Sequence, residues 1–331
     1  MDTFMCSNWY FLRYTSPEAE DAPFSREAAD YWLPVDKYVG GVEHAIMHLF
    51  YARFATKVLY DRGHIGFAEP FSSLFTQGML CKDGAKMSKS KGNVVPSDEI
   101  CDKYGADTGR LFILFTGPPE LDAEWSDQGV EGAHRFLGRI WRLLTGNGEL
   151  WLPEWREAIG AEQSEAAKGL RRKTHQTIKK ITTDIEERLH FNTAISAAME
   201  LVNDMYAYVA ARDDGGPDAA YSEAVENLLV MLSPFAPHIA DELWERLGKS
   251  GSLYEATWPA FDPEIAREEQ IEVPVQVNGK LRDRLTVPAD ISDEELRELA
   301  LASQRARAHT EGKEVRKVIV VPKKLVNIVA N

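Results

Sequence analysis

The residues best suited to chemistry are Lys86-Met87-Ser88-Lys89-Ser90, continued by Lys91-Gly92-Asn93. Two lysines on a polar loop meet negative charge as it develops on a departing phosphate. They help most when they bind that transition state better than the ground state. Ser88 and Ser90 add hydroxyl donors, while Gly84 and Gly92 flank the string as flexible points for closure. The plain alternative is an exposed basic loop without a role. A second pair, His44 and His48, lies four residues apart behind Gly40-Gly41-Val42-Glu43, so a helix there puts both imidazoles on one face. Core or capping histidines and a metal pair are the competing readings; a metal site needs a third ligand, and none stands nearby. Phe4, Ser7 and Tyr10 form a third group, which alone reads as part of an aromatic core.

The elements that must position these groups follow from pattern. Val35 to Val39 reads as a short strand closed by Gly40-Gly41, then a helix from about Glu43 to Tyr60 ends at Asp61-Arg62-Gly63. Phe75 to Cys81 reads as another strand, and Lys82-Asp83-Gly84-Ala85 as a polar turn. Strand–helix–strand order suits a parallel sheet, whose ligands lie beyond the carboxyl ends of the strands. The stretch is too short for a whole doubly wound domain and reads as half of one. Beyond Asp122, apolar residues recur at helical spacing over about Gly129–Leu144, Ala166–Leu189, Thr193–Ala211, Ala219–Leu232 and His238–Leu247, which predicts an antiparallel bundle. Near Glu272 the pattern changes. Val273, Val275 and Val277 alternate, Asn278-Gly279 supplies a type I′ turn, and Ser292 caps a helix to about Ser303. Val318–Val321 and Leu325–Val329 are strand-like. The expected fold is therefore multi-domain α/β plus all-α. It comprises a partial Rossmann-type half at 1–121, an antiparallel helical bundle at 122–262 and a small α+β domain at 270–331.

Composition bounds the function. The 331 residues are 44% hydrophobic and 27% charged, with no apolar run of membrane-spanning length and no secretory layout at the start. Cys6, Cys81 and Cys101 are too widely spaced for a metal knuckle and odd in number, against a disulfide framework. A soluble cytoplasmic protein is expected. The net charge of −14 argues against a nucleic-acid partner only in the mean, because binding follows local clusters. Lys168, Arg171, Arg172, Lys173, Lys179 and Lys180 form one cluster. From Leu301 to Asn331, seven Lys/Arg oppose Glu311 and Glu314. A solvated helix face is the plain reading of each.

Lys86–Ser90 resembles the second signature of the class I aminoacyl-tRNA synthetases. Gly40 to Tyr51, and Met1-Asp2-Thr3-Phe4 with Ser7, Trp9 and Tyr10, resemble the leucyl-tRNA synthetases in particular. The resemblance implies that Lys86 and Lys89 are catalytic. It implies ATP contacts from Gly40, Gly41, Glu43, Gln77, Met79, Met87, Ser88, Lys89 and Ser90, and a leucine pocket from Phe4, Ser7, Tyr10, His44 and His48. It further implies tRNA contacts from Arg171, Arg172, Lys173, Lys323 and Lys324, Mg2+ arriving with ATP, and no metal held by the protein itself. His64-Ile65-Gly66-Phe67 imitates three letters of the family's first ATP signature, yet it follows a helix and reads as a loop. The first signature, the first half of the nucleotide fold and the inserted editing domain have no counterpart in this sequence. The expectation is a leucine–tRNA ligase segment that acts on leucine and tRNA(Leu) with an N-terminal half, without a membrane partner. A noncatalytic tRNA-binding fragment, or a ligase of the same subclass for isoleucine, valine or methionine, stays open.

Overall fold

The structure, a computed structural model, describes residues 3–160, 163–212, 215–268 and 270–331, without the side chains of Thr3, Phe4 and Gln270. Three short helices, α1 (Thr3–Ser7), α2 (Tyr10–Tyr14) and α3 (Arg26–Trp32), precede β1 (Tyr38–Gly41). Helix α4 (His48–Asp61) then leads to β2 (Leu74–Gln77), which pairs parallel with β1, Gly41 lying opposite Gln77. The strand begins later than the sequence suggests: Val35 makes only an isolated bridge to Phe71. The expected helix from Glu43 is not continuous either. Val42–Ala45 form a 3-10 turn, Met47 breaks it with φ −107° and ψ −98°, and α4 starts at His48.

The expected strand from Phe75 to Cys81 is two strands in different sheets. Beyond Gly78, β3 (Leu80–Lys82) turns through Asp83-Gly84 into β4 (Ala85–Lys86) and pairs on its other side with β5 (Ala123–Glu124). Asp83 and Gly84 have φ of +58° and +70°, the left-handed values a tight antiparallel turn requires.

Helices α5 (Ser97–Tyr104) and α6 (Ala106–Phe115) lead to the bundle. It comprises α7 (Asp127–Gly146), α8 (Trp155–Ala158), α9 (Glu165–Thr183), α10 (Phe191–Ala210), α11 (Ala219–Leu232) and α12 (Pro237–Arg246). Ser126 caps α7 by accepting from Gly129 N–H, and of the predicted stripe, Val130, Ala133, Phe136, Leu137, Ile140 and Leu144 are buried while Trp141 is half-buried. The predicted helix to Leu189 stops at Thr183 and passes through a π turn, Asp184–Arg188, into left-handed Leu189. Helix α6 caps two others. The Asp107 carboxylate accepts from Ile239 N–H at 2.7 Å and His238 Nδ1 at 2.7 Å, at the start of α12. Arg110 donates to the carbonyls of Pro234 and Phe235 just after α11.

The chain forms two compact units, one running to Ile159 and from Thr177 to Pro259, the other taking Gly160–Gln176 and Ala260–Asn331. In the second, β6 (Gln270–Val277), β7 (Lys280–Pro288), β8 (Val315–Val321) and β9 (Leu325–Ala330) lie in the order β7-β6-β9-β8, with β6 and β9 parallel. Helices α13 (Asp293–Ala302) and α14 (Gln304–Thr310) supply Leu296, Ala300 and Ala306 to a core with Val273, Val275, Val277, Val287, Val326 and Ile328. Each fully buried Val, Leu or Ile there contributes about 1.5–3 kcal/mol. Asn278 and Gly279, at φ +51° and +77°, form the predicted hairpin turn. Ser292 and Glu295 cap α13 reciprocally. Among the described residues no helix is long and apolar enough to cross a membrane.

Candidate active site

Gly41 and Gln77 lie side by side at the carboxyl ends of the parallel strands β1 and β2, the edge at which such sheets receive ligands. Glu43 folds back over Gly41, so a side chain at 41 would displace its carboxylate. Gly40 is filled in the same way by the Tyr38 ring, 2.9 Å from where a Cβ would stand. Past Gln77, Gly78 has no room for a Cβ against the Leu121 carbonyl, and its N–H donates to Pro119 O at 2.9 Å. Met79 N–H donates to the Asp122 carboxylate at 2.6 Å, and Ala123 N–H to Met79 O at 2.9 Å. The strand end carrying Gln77 and Met79 is thus fixed by Pro119–Ala123. Sequence reading gave Asp122 no role in the site.

Beside this edge is a box of rings. His48 is 5.8 Å from Tyr10, 5.6 Å from Tyr38, 6.3 Å from Phe71 and 6.3 Å from His44, centroid to centroid. The two histidines meet although they do not share a helix, because the chain kinks between them. Both ring nitrogens of His48, and Nδ1 of His44, are buried with no hydrogen-bond partner among the described residues. Leaving such a group unmatched costs about 1–3 kcal/mol, so these unpaired nitrogens mark a place suited to a polar ligand. Burial, and then the neighbouring His44, lower the His48 pKa, which favours a neutral ring. Burial raises the phenols of Tyr10 and Tyr38, keeping them protonated. A cleft of about 440 Å³ opens next to the rings, lined by Tyr10, Tyr14, Trp32, Lys37, Tyr38 and Phe71. Ser7 closes α1 and is half-buried; the Phe4 side chain lies outside the described residues. Tyr38 and Phe71 were missed by sequence reading. Only the position of Tyr38, two residues before Gly40-Gly41, hinted at it.

Only Gly78 and Met79 separate Gln77 from the hairpin that carries the lysines, so the loop is tethered within a few residues of the strand ends. Lys86 is on β4 and Lys89 begins a 3-10 turn, Lys89–Lys91, ended by Gly92 at φ +66°. Lys86, Lys89 and Lys91 are exposed and make no ion pair among the described residues. Met87 is half-buried, and the Ser88 and Ser90 hydroxyls lie 3.2 Å apart. His64–Phe67 is indeed a loop, held by Gly66 N–H donating to Asp30 at 2.7 Å.

The basic groups differ in setting. Arg171, Arg172 and Lys173 are half-buried on α9; Arg171 donates to Gln163 and Arg172 to the Arg267 carbonyl. Arg171 and Arg172 line a cleft that also holds Glu264, Glu268 and Asp290. Lys323, at φ +57°, and Lys324 are exposed in the β8–β9 turn.

Residues 9–126 match the family model for tRNA synthetases of class I (I, L, M and V), and residues 167–297 match the anticodon-binding domain of tRNA ligase. With parallel strand ends beside a lysine-bearing loop, the chain is similar to the class I tRNA synthetases. Within that class it is homologous to leucine–tRNA ligase over nearly its whole length. It is 51% identical to that of Pseudothermotoga lettingae and 53% identical to that of Geobacter sp. (strain M21), each over 99% of this chain. The chain spans 40% of the length of both relatives. The crystal structure of the ternary complex of Agrobacterium radiobacter K84 agnB2 LeuRS, tRNA and LeuAMS aligns with all of this chain and 42% of that one, with a TM-score of 0.77 and 35% identity. Mycobacterium tuberculosis methionyl-tRNA synthetase bound by methionyl-adenylate shares the fold, at a TM-score of 0.55 and 17% identity over 75% of this chain and 50% of that one.

Proposed function

We propose that this chain supplies the leucine pocket, the mobile phosphate-binding loop and the tRNA-binding parts of a leucine–tRNA ligase, acting on leucine, ATP and tRNA(Leu). The observation that carries the reading is the set of unpaired imidazole nitrogens beside the carboxyl edge of β1 and β2, from which the chain runs on through one hairpin to two lysines without an ion pair among the described residues. Leucine's carboxylate oxygen attacks the α-phosphorus of ATP, the bond to the β-phosphate breaks, and pyrophosphate leaves with that electron pair. The terminal ribose hydroxyl of tRNA then attacks the acyl carbon, losing its proton as AMP departs. Gly40 and Gly41 let the nucleotide approach backbone, with Glu43, Gln77 and Met79 around it, while Met87, Ser88 and Ser90 shape the loop. Lys86 and Lys89 meet the charge growing on pyrophosphate. Phe4, Ser7, Tyr10, His44 and His48 enclose leucine. Mg2+ brought by ATP neutralises phosphate charge.

An N-terminal half completes the site. Its need is supported by the open edges of the two-stranded β1–β2 sheet and by Phe50, Tyr51, Phe54 and Val58, which α4 leaves exposed. The test is ATP–pyrophosphate exchange by the chain combined with the N-terminal portion of a homologous ligase. Exchange driven by leucine and only weakly by isoleucine, valine or methionine is expected. A complex that binds tRNA but exchanges with none of them is a binding fragment, and the proposal fails.

A further inference from the structure

The signature loop has a fastener that the function above does not use. Asn93 stands just beyond the loop, after left-handed Gly92 has turned the chain back toward the hairpin. Its Oδ1 accepts from Ser88 N–H at 2.9 Å. Its Nδ2 reaches the carbonyls of Lys82 at 3.2 Å, Ala85 at 3.4 Å and Lys86 at 3.4 Å. One carboxamide therefore bridges the end of β3, the whole of β4 and the residue midway between Lys86 and Lys89. An amide has only two N–H hydrogens, so three carbonyls at these distances share them, and each bond is long and weak. Such a hold orders the segment yet yields when a stronger set of contacts, such as phosphate oxygens on the lysines, competes with it. Among side chains of this size only asparagine offers an acceptor for Ser88 and donors for the carbonyls at once. Aspartate keeps the acceptor but sets anionic oxygen against carbonyl oxygen.

We infer that Asn93 is a positioning residue: its carboxamide sets the conformation in which the loop presents Lys86 and Lys89, without touching substrate. The functional half of this inference rests on the loop's proposed role with ATP; the structural half does not. The test is limited trypsin digestion of the 331-residue chain, wild type against Asn93→Asp and Asn93→Ala. Cleavage after Lys86 and Lys89 is compared with cleavage after Arg139 and Arg142 on α7. Losing two such bonds opens the loop more often, and loop cleavage is expected to rise on the order of tenfold with α7 unchanged. Loop rates equal to wild type overturn the inference, and so does equal acceleration on α7, which would make Asn93 a support of the whole fold. In the complex with an N-terminal portion, both variants are expected to lower kcat for pyrophosphate exchange and leave KM for leucine unchanged. A matching change in the leucine KM refutes a positioning role. A wild-type complex without exchange refutes the proposed function, while the digestion still decides the role of Asn93.

Discussion

In the proposed site His48 stands on the leucine side, and its chemistry separates that function from stability. A buried imidazole with two unpaired nitrogens costs the folded chain energy that a ligand can repay. Replacing it by leucine, similar in bulk and without polar atoms, is therefore expected to leave thermal stability unchanged or raise it by about 1–2 kcal/mol. The same variant should raise the KM for leucine in pyrophosphate exchange. Loss of stability with unaltered leucine KM would mark His48 as a packing residue. At this scale the lysine string stood out by residue type and the histidine pair by its nearness in sequence, although the single helix that its spacing predicts is absent. Tyr38 and Phe71 were not legible, since their 4.7 Å ring contact joins segments far apart in the chain. Asn93 acts through four hydrogen bonds to backbone and Asp122 through one, and such contacts leave no periodic trace.

The elements were legible wherever one strong local rule acted. Asn278-Gly279 made its turn, Ser292 its cap, and the stripe of α7 its helix. They were misread where tertiary contacts override pattern. Apolar residues run on from Glu43 to Tyr60, yet Met47 breaks the helix so that His44 and His48 face each other. The strand divides at Gly78, whose N–H donates to the Pro119 carbonyl and which has no room for a side chain against Leu121. Helices α1 and α2 are five residues each, too short for helical spacing to register.

One element-scale prediction concerns the bundle. Glu226 on α11 receives Trp155 Nε1 at 3.0 Å, Arg156 at 2.5 Å and Lys249 at 2.5 Å. Burial pushes its carboxyl up, but these donors outweigh burial and its pKa ends below the ordinary glutamate range. A lowered acid stabilises the fold above its unfolded pKa, and that share is lost as pH falls through the folded value. Glu226→Gln is expected to cost about 1–3 kcal/mol at neutral pH. Its deficit should shrink on acidification below the unfolded pKa of glutamate, as followed by urea unfolding at each pH. A deficit constant down to the acid limit would contradict the ion-pair account.

At the scale of the molecule, a net charge of −14 coexists with local basic clusters, and the proposed binding to tRNA rests on the latter. Neutralising Arg171, Arg172 and Lys173 together is expected to weaken tRNA binding and flatten its dependence on salt, by about 2 in logarithmic slope. Unchanged affinity and slope would remove that patch from the interface. The acid–base balance was legible from composition, but the joining of Gly160–Gln176 to Ala260–Asn331 in one compact unit was not. It is built by distant contacts such as Gln176 to the Ala266 carbonyl and Asp262 N–H to His175.

The claim on which the rest depends is that Lys86 and Lys89 stabilise the departing pyrophosphate. The direct measurement is the leucine-dependent exchange rate of the completed enzyme with both lysines replaced by alanine. A fall on the order of a hundredfold or more, with tRNA binding intact, is predicted; an undiminished rate would contradict the account.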